Sequence, residues 1–105
     1  MTIHGIDLDS QAIRNFCRKW KIKELSVFGS ILREDFRPES DIDFLVTYDR
    51  NATWDLYDAQ LIREELAGVV GRSVDLISRS AIERSDNRFV KKEVLSTAES
   101  VYAKR

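Results

Sequence analysis

The sequence predicts an α/β (α+β) fold, in which helices flank a small mixed β-sheet. The chain has 105 residues, of which 43% are apolar, which is enough for one hydrophobic core but not for two. Runs of β-forming residues alternate with segments of helical periodicity, and no repeat or low-complexity linker separates them. We therefore expect one domain that spans residues 1–105.

The amino-terminal part of the chain predicts a helix followed by a strand. Apolar residues with i, i+3, i+4, i+7 spacing predict an amphipathic helix from about Ser10 to Trp20, with Asp9 or Ser10 as its cap. The run from Glu24 to Phe28 is short, rich in β-formers and stopped by Gly29-Ser30, so it predicts a strand that enters a tight turn. The apolar helix face comprises Ile13, Phe16, Cys17 and Trp20.

Two more strands are predicted further along the chain. One extends from Asp41 to Tyr48 and the other from Ser73 to Ser78. The segment from Ile31 to Ser40 has mixed charges and contains the only proline, which indicates one helical turn and then an irregular loop.

Two further helices complete the prediction. Thr53 is the expected cap of a longer helix, whose apolar stripe ends near Gly68 and Gly71. The tail from Ala81 to Tyr102 has helical periodicity and should close the core. The stripe of the longer helix consists of Trp54, Tyr57, Leu61, Ile62, Leu66 and Val69. Its aromatic part is interpreted as core, with a partner-docking face as the alternative.

Three aspartates carry the chemistry that the sequence predicts. Asp41 and Asp43 lie two residues apart in SDIDFLV, so a strand would project both from one face. Adjacent carboxylates repel each other unless a cation lies between them, and magnesium prefers carboxylate and phosphate oxygens. Asp75 lies at the centre of another strand, and pairing of the two strands would complete a two-metal site for nucleotidyl transfer.

The Gly29-Ser30 turn is a candidate phosphate-binding site. It follows a strand and precedes a predicted helical turn, where backbone N–H groups and a hydroxyl can face a triphosphate. Ser30 would bind the β- or γ-phosphate. Arg33, one turn later, would neutralise charge on the leaving pyrophosphate.

These motifs together resemble a known family. Gly29-Ser30, ten intervening residues and then Asp41-x-Asp43 match the signature of the DNA polymerase β-like nucleotidyltransferase superfamily, with Asp75 at the place of its third acid. The run VFGSILREDFRPESDIDFLV and the small size look most like the minimal nucleotidyltransferase (MNT) branch. Family members often read Gly-Ser-Arg-Ala-Arg-Gly. Here Ile31 and Glu34 replace the first arginine and the last glycine, and Arg33 keeps the second arginine.

The resemblance implies a polymerase β-like fold in which Asp41, Asp43 and Asp75 hold two magnesium ions. It further implies an antitoxin that transfers AMP from ATP to a hydroxyl, expected to be that of a tyrosine, on a HEPN-family ribonuclease toxin. In this mechanism Asp75 prepares the acceptor hydroxyl. Two alternatives remain open: an antitoxin that neutralises the toxin by binding alone, and a nucleotidyltransferase that acts on a small-molecule hydroxyl.

Structural roles are the competing interpretation of the same residues. Asp41 and Asp43 would then face solvent on an edge strand, and Asp75 would be a buried acid that accepts backbone hydrogen bonds. Ser30 would only cap the following helix, and Arg33 would only be solvated. His4 is assigned to a flexible start of the chain. Lys91, Lys92 and Glu93 are expected on a solvated helix face.

Composition limits the partners and the compartment. The 17 basic and 18 acidic residues give a net charge of -1, which disfavours binding to long nucleic acid. No segment approaches the roughly 20 apolar residues that cross a bilayer, and the start has no export signal. A single cysteine, Cys17, is assigned to the core and forms no internal disulfide, so we expect a cytoplasmic protein without membrane partners.

Overall fold

A four-stranded mixed sheet forms the centre of the protein, and the computed structural model describes residues 2–104. In chain order the elements are β1 (Thr2–Ile3), β2 (Ile6–Asp7), α1 (Gln11–Lys19), β3 (Ile22–Phe28), β4 (Ile42–Tyr48), α2 (Leu56–Val70), β5 (Val74–Ser78), α3 (Arg79–Glu83), α4 (Arg88–Thr97) and β6 (Glu99–Ala103). A 3-10 turn, Gly29–Leu32, follows β3. The predicted mixed α/β architecture is confirmed.

The strand order of the sheet is β5-β4-β3-β6. β3 pairs antiparallel with both β4 and β6, whereas β4 and β5 are parallel. Parallel neighbours require a crossover connection, which here contains α2. None of the helices within residues 2–104 is long and apolar enough to span a bilayer.

The two faces of the sheet carry hydrophobic clusters of different size. Along β4, Ile42, Phe44 and Val46 are buried in the larger cluster with residues of α1 and α2. Leu45 points to the other face, where a smaller cluster joins it to residues of α3 and α4. Side chains alternate along a strand, so Asp43 shares the face of Leu45.

The structure confirms the first predicted helix. Ser10 is its cap, and the Ser10 hydroxyl accepts a hydrogen bond from the backbone N–H of Ile13 at 3.2 Å. Its buried residues are Ile13, Phe16 and Cys17, while Trp20 packs beside the larger cluster. The strand that follows begins at Ile22, two residues before the predicted start.

The longer helix differs from the prediction at its start. Asp55 caps it, because its carboxylate accepts from the N–H of Asp58 at 2.8 Å while the Asp58 carboxylate accepts from the N–H of Asp55. Thr53 therefore lies outside the helix. The assignment of Tyr57 and Leu61 to the core is wrong, since their exposed fractions are 70% and 37%.

The predicted helical tail from Ala81 to Tyr102 is also wrong. It divides into α3, α4 and the strand β6, so the sheet has four strands instead of three. Asn87 starts α4, because its side chain accepts from the N–H of Val90 at 3.2 Å. The tail ends as a strand because β3 offers it a free edge, a tertiary effect that helical spacing does not report.

Residues 2–7 form a β-hairpin with contacts to the rest of the protein, which corrects the assignment of His4 to a flexible segment. β1 and β2 pair antiparallel. The His4 ring stacks on Phe36 at a centroid distance of 4.9 Å, and its Nε2 lies 2.9 Å from the carbonyl oxygen of Arg33. The hairpin therefore contacts the loop that precedes β4.

Candidate active site

Asp43 and Asp75 lie side by side within the sheet. The parallel register of β4 and β5 pairs Asp43 with Asp75 and Ile42 with Val74. Facing residues of paired strands project to the same side, so the two carboxylates share the face of the smaller cluster. Asp43 is half-buried and Asp75 is exposed. This pairing of strands is what the sequence prediction required.

The electrostatic environment of Asp43 is unfavourable for its own ionisation. Burial raises the pKa of Asp43, and the negative charges of Asp75 and Asp41 raise it further, while the Arg33 guanidinium acts in the opposite direction. The three carboxylates are thus close enough to influence one proton equilibrium. A divalent cation among them would offset this repulsion, and a set of carboxylate oxygens suits a hard ion such as magnesium.

Asp41 lies one residue before β4, on an exposed loop end, instead of inside the predicted strand. The chain is fixed on both sides of it. The N–H of Ile42 donates to the carbonyl oxygen of Ser73 at 3.1 Å, and the carbonyl oxygen of Ser40 accepts from Arg72 at 2.8 Å. Asp41 is therefore held at the same end of the sheet as the other two acids.

Gly29 packs directly against the Asp43 carboxylate. Its φ of +76° is a conformation that residues with a side chain rarely adopt, and a Cβ at this position would lie 2.6 Å from Oδ2 of Asp43. Both the backbone conformation and the contact therefore require glycine. The close approach places the turn after β3 beside the acids.

Ser30 follows within the 3-10 turn and is half-buried. Its hydroxyl has no hydrogen-bond partner among residues 2–104, and the cap position of the turn belongs to Phe28. The interpretation of Ser30 as only a helix cap is therefore wrong. The free hydroxyl lies next to the residue that touches Asp43, where a ligand oxygen could reach it.

Arg33 is exposed and forms a long ion pair with Asp35 at 3.4 Å. Its charge still lowers the pKa of Asp43, so it acts within electrostatic range of the acids. Ile31, which replaces an arginine common in the family, is fully buried in the larger cluster. That position therefore contributes to packing in this chain, whereas Glu34 is at the surface.

The three acids do not form a complete metal site by themselves. Within residues 2–104, no three His, Cys, Asp or Glu side chains are already arranged to hold a metal ion. Asp43 and Asp75 form the close pair, and Asp41 is near enough for its charge to act on Asp43. Magnesium usually keeps water and substrate phosphate among its ligands, so these residues fit an ion that binds together with a nucleotide.

The position of the acids contradicts two of the structural alternatives. β4 is an interior strand of the sheet, so Asp43 does not lie on an edge strand. Asp75 is exposed and therefore is not a buried acid. A cavity of about 630 Å³ lies at the opposite end of β3 and β4, beside Ile22 and Asp49, and none of the three acids lines it. The acids instead lie on an open surface.

Arg72 holds the loop before Asp41 and was not among the residues predicted from the sequence. Its guanidinium donates to the carbonyl oxygens of Arg37, Pro38 and Ser40, and it lies over the Phe36 ring. No spacing pattern marks such a residue, because every residue has a carbonyl oxygen. The only available signal was its position shortly before the strand that carries Asp75.

Comparison with known proteins agrees with this geometry. Residues 10–99 match the model of the nucleotidyltransferase domain family. A Methanocaldococcus jannaschii protein named as a protein adenylyltransferase is 36% identical over 72% of this chain and 73% of its own length. A solved structure described as a minimal nucleotidyltransferase is 28% identical, covers 91% of this chain and 97% of its own, and has a TM-score of 0.66.

A third similar protein has been solved with a partner. It is an MNT antitoxin in complex with a tri-AMPylated HEPN toxin of Shewanella oneidensis, and the match is 22% identical with a TM-score of 0.60. The match covers 92% of this chain and 71% of that chain, and it supports the fold alone.

The fold, the paired acids and the family match together define a nucleotidyltransferase. The chain belongs to the nucleotidyltransferase domain family. Within that family it is a member of the minimal nucleotidyltransferase branch of the DNA polymerase β-like superfamily.

Proposed function

We propose that this chain is an antitoxin that transfers AMP from ATP to a hydroxyl of a HEPN-family toxin, with a tyrosine as the acceptor. The observation that carries the proposal is the register of β4 and β5, which pairs Asp43 with Asp75 beside the Gly29 turn. Relatives named as protein adenylyltransferases support the protein acceptor, and the AMPylated toxin bound to a similar antitoxin supports the partner.

In this proposal Asp41, Asp43 and Asp75 would hold two magnesium ions. When bound, these ions supply positive charge that neutralises the transferring phosphate and acidifies the acceptor hydroxyl. The raised pKa of Asp43 supports this assignment, because burial and the negative charges of Asp75 and Asp41 together make its ionised form unfavourable without a cation.

The remaining groups bind and orient the triphosphate. The backbone of the Gly29 turn and the Ser30 hydroxyl face the phosphates, and Arg33 balances charge on the leaving group. The acceptor oxygen attacks the α-phosphorus in line, and the bond from that phosphorus to the bridging oxygen of the β-phosphate breaks. Pyrophosphate leaves, and the hydroxyl proton passes to the Asp75 carboxylate.

The acceptor must come from a second molecule. Asp41 and Asp75 are exposed and Asp43 is half-buried, and none of the three lines the cavities of about 630, 550 and 440 Å³, whereas small-molecule sites are usually concave. A protein surface that covers the site would exclude water from the reacting atoms. This favours a protein acceptor over a free metabolite, and we place the reaction in the cytoplasm, where ATP is abundant.

The test uses ATP labelled either at the α- or at the γ-phosphate. The chain is incubated with magnesium, each form of ATP, and the protein encoded by the neighbouring reading frame. AMP transfer predicts α-label on that protein and γ-label only in pyrophosphate. Transfer of the γ-label to protein would indicate phosphoryl transfer instead and would contradict the proposal.

Asp43→Asn and Asp49→Asn form a matched pair of variants. Asp49 follows the same strand at its other end, where it pairs with Lys104 at 3.0 Å. We expect Asp43→Asn to abolish labelling and Asp49→Asn to retain it. If the wild type labels nothing yet still neutralises the partner, and Asp43→Asn does so equally well, the chain acts by binding alone. Label on an added small molecule, without a second protein, would support the third alternative.

A further inference from the structure

Arg72 connects the strand that carries Asp75 to the loop that leads to Asp41. It lies between the end of α2 and the start of β5, three residues before Asp75. Its guanidinium donates to the carbonyl oxygens of Arg37 and Pro38 at 2.7 Å and of Ser40 at 2.8 Å. Three carbonyl oxygens surround one nitrogen, Nη2, and share its two N–H groups, which holds the loop in a narrow turn just before the first acid.

The same guanidinium forms one layer of a stack. It lies 4.5 Å from the centroid of the Phe36 ring, and the His4 ring stacks on Phe36 at 4.9 Å. His4 also contacts the carbonyl oxygen of Arg33 at 2.9 Å. The loop from 33 to 40 is therefore held along its length, from the candidate phosphate-binding turn to the first acid.

Arg72 and Ser73, the two residues that lead into β5, hydrogen-bond to the backbone on either side of Asp41. Arg72 binds the carbonyl oxygen of Ser40, and Ser73 accepts the N–H of Ile42 at 3.1 Å. The only residue between these two contacts is Asp41. The backbone position of Asp41 therefore depends on the strand that carries Asp75 as well as on its own strand.

We propose that Arg72 is a positioning residue for the metal–nucleotide site, which it serves by holding Asp41 in register with Asp75. The inference rests on the function proposed above, because it takes Asp41 as a ligand. In this proposal Arg72 acts through Asp41 and is not itself a ligand of the nucleotide or the metal. Groups that orient a ligand typically change metal affinity or activity by about 10-fold to 100-fold when removed.

Arginine is suited to this role in a way that lysine is not. An ammonium group also has three N–H groups, but it is compact and strongly hydrated, whereas a planar guanidinium can point one nitrogen at the carbonyl oxygens while its carbon lies over an aromatic ring. Lysine would keep the charge while losing the fixed direction of the contacts. Arg72→Lys is therefore the conservative variant that separates charge from geometry.

The experiment measures the magnesium dependence of ATP binding to the full chain by calorimetry, which needs no acceptor. We expect Arg72→Ala to raise the apparent dissociation constant for magnesium by about 10-fold or more. ATP binding should recover at high magnesium concentration. Arg72→Lys should lie between this variant and the wild type. Phe36→Leu, which removes the stack but keeps the three hydrogen bonds, should have the smaller effect.

Arg50→Ala is the matched control. Arg50 is exposed, lies beyond the far end of β4, and makes no ion pair or hydrogen bond with the residues from 2 to 104. It should leave the magnesium constant unchanged. Thermal unfolding of each variant separates a general loss of fold from a local change at the site.

A second measurement decides the inference even if the chain does not bind ATP. Amide hydrogen exchange of Ser40 and Ile42, whose N–H groups are hydrogen-bonded here, should accelerate in Arg72→Ala but not in Arg50→Ala. Unchanged exchange, or an unchanged magnesium constant in a folded Arg72→Ala protein, overturns the inference. If the wild type does not bind ATP, the proposed function is contradicted. The exchange rates of Ser40 and Ile42 then test whether Arg72 holds the loop.

Discussion

Replacement of Gly29 by alanine should destabilise the protein and displace the Asp43 carboxylate. The new Cβ would stand 2.6 Å from Oδ2 of Asp43, far inside van der Waals contact, and the backbone would keep a φ of +76°. The steric contact and the backbone strain both act at this residue. Two other glycines of the chain allow the two effects to be measured separately.

The magnitude follows from these two contributions. A residue with a side chain in the left-handed region costs about 1–2 kcal/mol, and a carboxylate forced from its rotamer costs about 1 kcal/mol. The sum of about 2–3 kcal/mol corresponds to a fall in the unfolding midpoint of about 8–12 °C for a domain of this size.

Gly71 and Gly68 provide the matched variants. Gly71 ends α2 with a φ of +72°, and a Cβ added there would meet no atom within 4 Å, so Gly71→Ala should show the backbone cost alone. Gly68 lies inside α2 with equally open space, and Gly68→Ala should stabilise the helix by roughly 0.5–1 kcal/mol.

Calorimetric unfolding and AMP transfer are measured on all three variants. We expect only Gly29→Ala to lose activity beyond its loss of stability, because only there does the Cβ meet an acid of the site. If Gly29→Ala unfolds at the temperature of Gly71→Ala and transfers AMP normally, the reasoning about this contact is wrong.

Three further predictions concern the acid cluster, the core and the thiol. Burial and two neighbouring carboxylates raise the pKa of Asp43 in the folded state above its ordinary value of 3.8. The protein therefore loses stability as the pH rises from 3.8 through the raised pKa of the folded state. Asp43→Asn removes this loss, so it should raise the unfolding midpoint at pH 7 without metal. That gain should vanish below pH 3.8, and a gain that persists there would point to another cause. Leu66 is fully buried in the larger cluster, so Leu66→Ala should reduce the free energy of unfolding in urea by about 2–5 kcal/mol, whereas a loss below about 1 kcal/mol would contradict its core position. Burial raises the pKa of Cys17 to about 12, so iodoacetamide should modify it at pH 8 only as fast as the protein unfolds; rapid labelling of the native protein would show that the site is open.

The sequence was most informative where local pattern and tertiary structure agree. The α1 helix followed from apolar spacing, because the same residues that set the period face the core. The position of Asp43 beside Asp75 was predicted from two short strands, one that begins with acids and one with an acid at its centre, provided that the strands pair, as they do. In both cases the structure depends on apolar or acidic side chains, which can be identified directly from the sequence.

Elsewhere the deciding interaction lies outside the segment itself. Glu99–Ala103 has helical spacing with the residues before it, yet it pairs with β3 because that strand has a free edge. Tyr57 fits the apolar stripe of α2 but lies on its exposed side, since the helix begins at Leu56 and packs through Ile62 and Leu66. The role of Arg72 depends on backbone carbonyls, which carry no mark in the sequence.

The parallel pairing of β4 with β5 has a consequence for how activity is gained during folding. Asp43 and Asp75 meet only after the chain between them has crossed over through α2, whereas β3 and β4 are neighbours that can pair before α2 has docked. A partly folded chain that has only the antiparallel pair would contain the glycine turn and two of the acids, but not the third. Regain of catalysis after dilution from denaturant should therefore report the last docking event, and should lag behind the burial of Val27 and Phe44 in the antiparallel pair.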